Sequence, residues 1–201
     1  MPLTTLLIDL DGVLRTWPDD YDSIERQHNL PTGSLNQTAF EAGLLERVVT
    51  GKIKDSEWRD TVVESLTALH PMCLAKEAVA TWSKPAGSLN HEVVELVTEI
   101  RKTLKVGLVT NATDRLAFDL NALGLQNTFD FIVNSSEIGF MKPRVEFYQR
   151  ALSIAKAEPS ETIFVDDTIG NVSAAIELGI KSHRFGTVSA FKAFVASLGL
   201  V

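Results

Sequence analysis

A single cysteine, Cys73, stands in the 201-residue chain, so no internal disulfide and no cysteine-based zinc site can form, which fits a reducing compartment. The four histidines, His28, His70, His91 and His183, are scattered and show no paired metal-ligand spacing. Positive charge is in short supply: 19 basic residues face 26 acidic ones. The formal charge of -7 argues against nucleic acid or an anionic membrane surface as the main partner. No apolar run approaches the roughly 20 residues of a membrane span, and no basic region followed by a cleavable apolar stretch opens the chain. The expectation is a cytoplasmic protein, monomer or homodimer, whose partner is a small molecule.

Four short apolar runs end in polar clusters: Leu6-Leu7-Ile8 before Asp9, 106–109 before Thr110-Asn111, 131–133 before Asn134, and 162–165 before Asp166-Asp167. Apolar without alternation, largely β-branched and closed by turn-forming residues, they read as buried parallel strands. Helical periodicity fills the gaps at 89–102, 114–123, 145–156 and 171–178, with a last helix at 189–198. Gly124 and Gly179 sit in parallel Leu-Gly-aliphatic segments, where glycine takes the left-handed position that ends a helix. Thr113 and Thr168 are placed to cap the helices that follow. Alternating strand and helix predict a doubly wound, Rossmann-like α/β sheet.

About 90 residues separate the first strand from the second, far more than a crossover helix requires. That stretch holds no convincing strand, only helical patterns at 35–49 and 55–69. It predicts a small helical cap at 18–85, inserted into a core of 1–17 and 86–201, with Pro18-Asp19-Asp20 and Lys84-Pro85-Ala86-Gly87 as connections.

In open parallel sheets, ligands bind outside the carboxyl ends of the strands, and three polar clusters fall on such ends. Asp9 and Asp11 are one residue apart, so their side chains lean the same way while Leu10 points away. Two like charges roughly 4 Å apart repel by about 4 kcal/mol at an effective dielectric of 20, so the pair calls for a proton, a cation, or both. Lys142-Pro143 precedes a predicted helix, where Lys142 reaches the same edge.

With Asp9-Leu10-Asp11-Gly12-Val13, Thr110-Asn111, Lys142-Pro143 and Asp166-Asp167-Thr168-Ile169-Gly170-Asn171 in order, the chain resembles the haloacid dehalogenase superfamily, in its phosphatase-like branch with a helical C1-type cap. The resemblance implies an Mg2+-dependent phosphatase acting on a small phosphorylated metabolite. Asp9 would be the nucleophile and Asp11 the general acid and base. Asp9, Asp166 and Asp167, with the Asp11 carbonyl, would hold Mg2+. Thr110, the Asn111 backbone N–H and Lys142 would bind the phosphoryl oxygens, and Asn171 would orient Asp167 or a metal-bound water. Val13 stands where many members carry Thr. Arg15 and Trp17 lie on a flap where an acidic residue is common; Arg15 is a candidate contact for a second anionic group and Trp17 a candidate pocket wall. Phe40, Trp58 and Arg59 are further candidates for substrate choice.

Three other readings remain open at this level. A 2-haloacid dehalogenase shares the nucleophile but needs neither acid nor Mg2+, and the acid at Asp11 speaks against it. A phosphomutase resembling β-phosphoglucomutase uses the same four motifs. Outside enzymes, a silent binding or regulatory module could keep the fold without turnover.

Overall fold

The computed structural model describes residues 2–200. Its strands are, in chain order, β1 (Thr5–Ile8), β2 (Arg15–Thr16), β3 (Ser88–Leu89), β4 (Lys105–Thr110), β5 (Phe131–Asn134), β6 (Thr162–Asp166) and β7 (Lys181–Arg184). Five of them form one parallel sheet in the order β5-β4-β1-β6-β7. β1 lies at its centre, with Ile8 opposite Leu108 on one side and Val165 on the other.

Alternation along the strands sorts the core into two layers. Leu6, Ile8, Val106, Leu108, Ile163 and Val165 face one layer. It is completed by α6 (His91–Ile100), α7 (Leu116–Ala122) and, at the chain's end, α11 (Val188–Ser197). The intervening residues Leu7, Val109, Val133 and Phe164 face the other, where α9 (Val145–Ala155), reached from β5 through the short α8 (Ser135–Ile138), and α10 (Ile169–Glu177) supply Phe147, Tyr148, Ala151, Val172 and Ala175. Both faces are thus covered, as a parallel sheet requires. This is a doubly wound α/β fold, and the expected strands β1, β4, β5 and β6 are all present.

β7 is an addition to the expected set: its Lys-Ser-His-Arg sequence is polar because it forms an edge. Gly124 and Gly179 do adopt the left-handed conformation, at φ 72° and 84°. The caps differ from expectation. Thr113 accepts from the Arg115 N–H at 3.2 Å, one residue ahead of the helix, while Thr168 caps no backbone N–H and its hydroxyl bonds Asp167 instead.

Between β2 and β3 the chain forms five helices: α1 (Tyr21–Gln27), α2 (Ser34–Ala39), α3 (Ala42–Val49), α4 (Asp55–Leu69) and α5 (Ala75–Trp82). Their buried apolar residues, among them Leu35, Val48, Trp58, Val62, Leu66 and Ala78, make a cluster of their own. The single helix expected at 35–49 is two, because the Glu41 carboxylate accepts from Gly43 and Leu44 N–H groups and so starts a new helix. At the root of the insert the two connections pair antiparallel, Arg15 with Leu89 and Thr16 with Ser88. The insert is tied to the core by Thr113 donating to Asp55 at 3.0 Å and by the Arg144–Glu46 ion pair at 2.9 Å.

Candidate active site

Asp9 follows directly on β1, Thr110 ends β4, and Asp166 ends β6, so three neighbouring strands deliver their last residues to one edge. The loop Leu10–Arg15 then turns back on itself, with the Arg15 N–H on the Leu10 carbonyl at 2.8 Å and the Gly12 N–H on the Arg15 carbonyl at 2.8 Å. Gly12 sits at φ 79°, and a Cβ there would overlap the Asp167 carboxylate. Two independent constraints therefore call for glycine.

Lys142 is buried at 2 % exposure, with its ammonium 2.8 Å from Asp9 Oδ1 and 2.7 Å from Asp166 Oδ2, and donating to the Val109 carbonyl at 3.0 Å. Those contacts match all three of its donors. Its backbone is fixed by Asn111, whose side-chain amide donates to the Lys142 carbonyl at 3.0 Å and accepts from the Lys142 N–H at 2.8 Å. That reciprocal bond gives Asn111 a structural task that the sequence reading did not find. Asn171 donates to both oxygens of Asp166 at 3.0 Å rather than to Asp167, one of its two expected partners, and the Tyr148 hydroxyl donates to the Asn171 carbonyl at 2.7 Å.

One carboxylate oxygen each from Asp9, Asp166 and Asp167 lies within 4.8 Å of the others. Three carboxylates against one ammonium leave two formal negative charges in a largely buried site, and a divalent cation would neutralise both. Hard oxygen donors from three carboxylates suit Mg2+. Asp9 Oδ1 accepts from the Leu10 N–H at 2.7 Å as well as facing Lys142, and none of these bonds uses Oδ2. The Asp11 side chain stands outside this carboxylate cluster.

Burial pushes Asp9 from 3.8 up to about 7 against the pull of Lys142, with Asp166 and Asp11 adding to the rise. For Lys142 burial works downward, but Asp9 and Asp166 hold the ammonium above its ordinary value. Asp11 has a different setting. Arg15 grips it in a two-pronged ion pair, Nε on Oδ1 at 2.7 Å and an NH2 donor on Oδ2 at 3.0 Å, and the Trp17 indole N–H adds 2.7 Å to Oδ1. The Arg15 guanidinium lies 4.2 Å from the Trp17 ring and also pairs with Asp119 at 3.1 Å. At 3 % exposure and so engaged, Arg15 is not free to receive a second anion, and this corrects its expected role.

Two cavities meet here. The smaller, about 280 Å3, is lined by Asp9, Thr110, Asn111, Lys142, Asp167 and Asn171, so the structure brings these site candidates together. The larger, about 370 Å3, opens between the core and the helical insert. Asp11 and Asn111 line both. Trp17, Phe40, Trp58 and Arg59 line the larger one, joined by Tyr21, Trp82, Arg115 and Asp119, which sequence reading missed because they converge only through the fold.

A doubly wound α/β core with a carboxylate cluster and a buried lysine at its carboxyl edge defines a class of hydrolases. The chain belongs to the haloacid dehalogenase-like hydrolases, whose family model matches residues 3–179. It is 28 % identical over 199 residues to mouse bifunctional epoxide hydrolase 2, covering 90 % of this chain but only 36 % of that protein, so it spans about a third of that relative's length. A sesquiterpene phosphatase of Aspergillus oryzae is 28 % identical over 178 residues, covering 87 % of this chain and 85 % of the relative. A Bacteroides thetaiotaomicron enzyme of the family, solved with magnesium and inorganic phosphate, superposes with a TM-score of 0.76 at 23 % identity, over 92 % of this chain and 94 % of that one. No helix among the described residues is long and apolar enough to cross a membrane.

Proposed function

We propose that the protein is an Mg2+-dependent phosphatase that hydrolyses a small-molecule phosphate monoester through an aspartyl-phosphate on Asp9, with the helical insert acting as a cap. The observation that carries this reading is the convergence of Asp9, Asp166 and Asp167 around a surplus of two negative charges, beside Lys142 and one residue from Asp11. A phosphatase among the relatives supports it.

Asp9 Oδ2 attacks phosphorus; the bond to the ester oxygen breaks, and that oxygen takes a proton from Asp11. Water then attacks the acyl phosphate, Asp11 takes its proton, and inorganic phosphate leaves with Asp9 restored. Asp9, Asp166 and Asp167 would hold Mg2+, which would supply charge neutralisation between carboxylate and phosphate. Lys142 acts through its charge, since Asp9, Asp166 and Val109 already occupy its donors. Thr110 and the Asn111 N–H, which line the small cavity, donate to the phosphoryl oxygens in this reading. Without a cation, burial raises the affinity of Asp9 for a proton, whereas the chemistry needs Asp9 ionised. A dication held beside Asp9 would favour the ionised form and would tie turnover to metal. For Asp11 to act as the acid, its contacts with Arg15 and Trp17 must loosen when the ester oxygen arrives.

The experiment is hydrolysis of p-nitrophenyl phosphate with and without Mg2+, with Asp9→Asn as control. Activity lost in chelator and restored by Mg2+ is expected. Undiminished turnover in excess chelator, or equal inactivity of wild type and variant across a broad ester panel, would contradict the reading.

A further inference from the structure

The larger cavity has walls of a particular chemistry. All three tryptophans of the chain, Trp17, Trp58 and Trp82, line it together with Phe40, Leu45 and Val49. Phe40, Trp58 and Trp82 meet edge to face, with centroids 6.1 Å, 6.0 Å and 5.2 Å apart. Phe40 remains 40 % exposed, although it belongs to this aromatic group.

The indole and guanidinium groups of the wall are already engaged within the protein. The Trp58 indole N–H donates to the Ala39 carbonyl, that of Trp82 to the Tyr21 hydroxyl, and that of Trp17 to Asp11. Arg15 pairs with Asp11 and Asp119, Arg59 with Asp55, and Arg115 with Asp119. Each guanidinium also donates to a backbone carbonyl: Arg15 to Ala86, Arg59 to Ser83, Arg115 to Ser83. Each lining guanidinium is thus committed to a carboxylate, and with Asp20 the lining carboxylates outnumber the guanidinium groups, which disfavours a second phosphate or a carboxylate. The hydroxyls of a sugar would displace bonds already made, at a net loss. What the wall offers without cost is aromatic and aliphatic surface, in a volume suited to a ligand of drug-like size.

Because Asp11 and Asn111 belong to both cavities, a phosphoryl group at Asp9 directs its ester oxygen past Asp11 into this aromatic space. We propose that the cavity takes the alcohol part of the substrate, and that this alcohol is hydrophobic: the substrate class is monophosphates of alkyl, isoprenoid or aryl alcohols, not of sugars or nucleosides. The inference rests on the phosphatase reading for its chemistry, though not for the binding it predicts.

The test is kcat/KM, with Mg2+, across ethyl, butyl, hexyl and octyl phosphate, beside glycerol phosphate, glucose 6-phosphate and phosphocholine. The expected result is a rise of about threefold to fourfold per methylene until the cavity is filled, and at least about tenfold from ethyl to octyl, with the sugar ester near the ethyl level. Phe40→Ala and, independently, Leu45→Asn should flatten that rise. A flat or falling series, or phosphocholine or glucose 6-phosphate exceeding octyl phosphate, would overturn the inference while leaving the phosphatase reading intact. Binding is read separately by tryptophan emission: octylphosphonate should shift it and ethylphosphonate at the same concentration should not. Equal responses would overturn the inference. Failure of the phosphatase reading looks different: no ester is hydrolysed, while the octyl ligand still shifts the emission.

Discussion

Replacing Asp9 with Asn should stabilise the protein in the absence of metal. Asp9 is buried among Lys142, Asp166 and Asp11, and its carboxyl is carried from 3.8 to about 7. Between those values the native state holds a proton that the unfolded chain has released, so stability falls as pH rises through this window. Each pH unit is worth about 1.36 kcal/mol, which places the cost near 2 kcal/mol at pH 5 and near 4 kcal/mol at pH 8. Asp9→Asn removes the charge, yet its amide keeps an acceptor oxygen for the Leu10 N–H and for Lys142. The variant should therefore be inactive and more stable, by a margin that grows with pH. Urea denaturation in chelator at pH 5 and pH 8 reads this directly. For a chain of this length, about 1 kcal/mol corresponds to roughly 2–4 °C in Tm. A margin that does not grow with pH, or a variant less stable than wild type at pH 8, would refute the electrostatic reasoning.

Gly12→Ala meets both a left-handed backbone and the Asp167 carboxylate; strain of about 1–2 kcal/mol should lower Tm, and displacement of Asp167 should raise the Mg2+ concentration for half-maximal activity. An unchanged Mg2+ requirement would contradict the placement of Asp167 at the metal. Asp11→Asn should slow phosphoenzyme formation most for esters of poorly acidic alcohols; equal slowing whatever the leaving group would rule out the acid role. His183 stacks on Phe194 with centroids 4.6 Å apart, its Nε2 has no partner, and burial holds its imidazolium form below the usual 6.5. Its contribution to stability is present above pH 6.5 and is lost as pH falls, so His183→Leu should narrow the fall in Tm between pH 7.5 and 5.5. An identical fall in both proteins would count against that assignment.

The strands that could be read from sequence are those buried on both faces, because burial demands continuous apolar residues: 6–8, 106–109 and 162–165 leave no other comfortable reading. β7 escaped because an edge strand tolerates Lys181 and Arg184, and β2 and β3 because two residues carry no period. The break between α2 and α3 escaped for a different reason: the apolar spacing runs on through it, and only the Glu41 side chain marks the new start. At the site, Asp9, Thr110, Lys142 and Asp166 were legible as strand-end polar residues and motif members. Arg15 was legible as a residue but not as a partner of Asp11 and Asp119, since Asp119 lies 104 positions away and the pairing exists only once α7 packs beside the loop that follows β1. Trp82 and Tyr21 belong to the same category: each reads as a helix residue until the fold brings them to one cavity.

The proposed mechanism requires a covalent intermediate on Asp9. Acid quench of the protein during turnover of a phosphate ester with Mg2+, followed by mass spectrometry of its peptides, tests this most directly. One added phosphoryl group on the peptide carrying Asp9 is expected, absent in chelator and absent in Asp9→Asn. Turnover by the Asp9→Asn protein, or a phosphoryl group on any other residue, would contradict it.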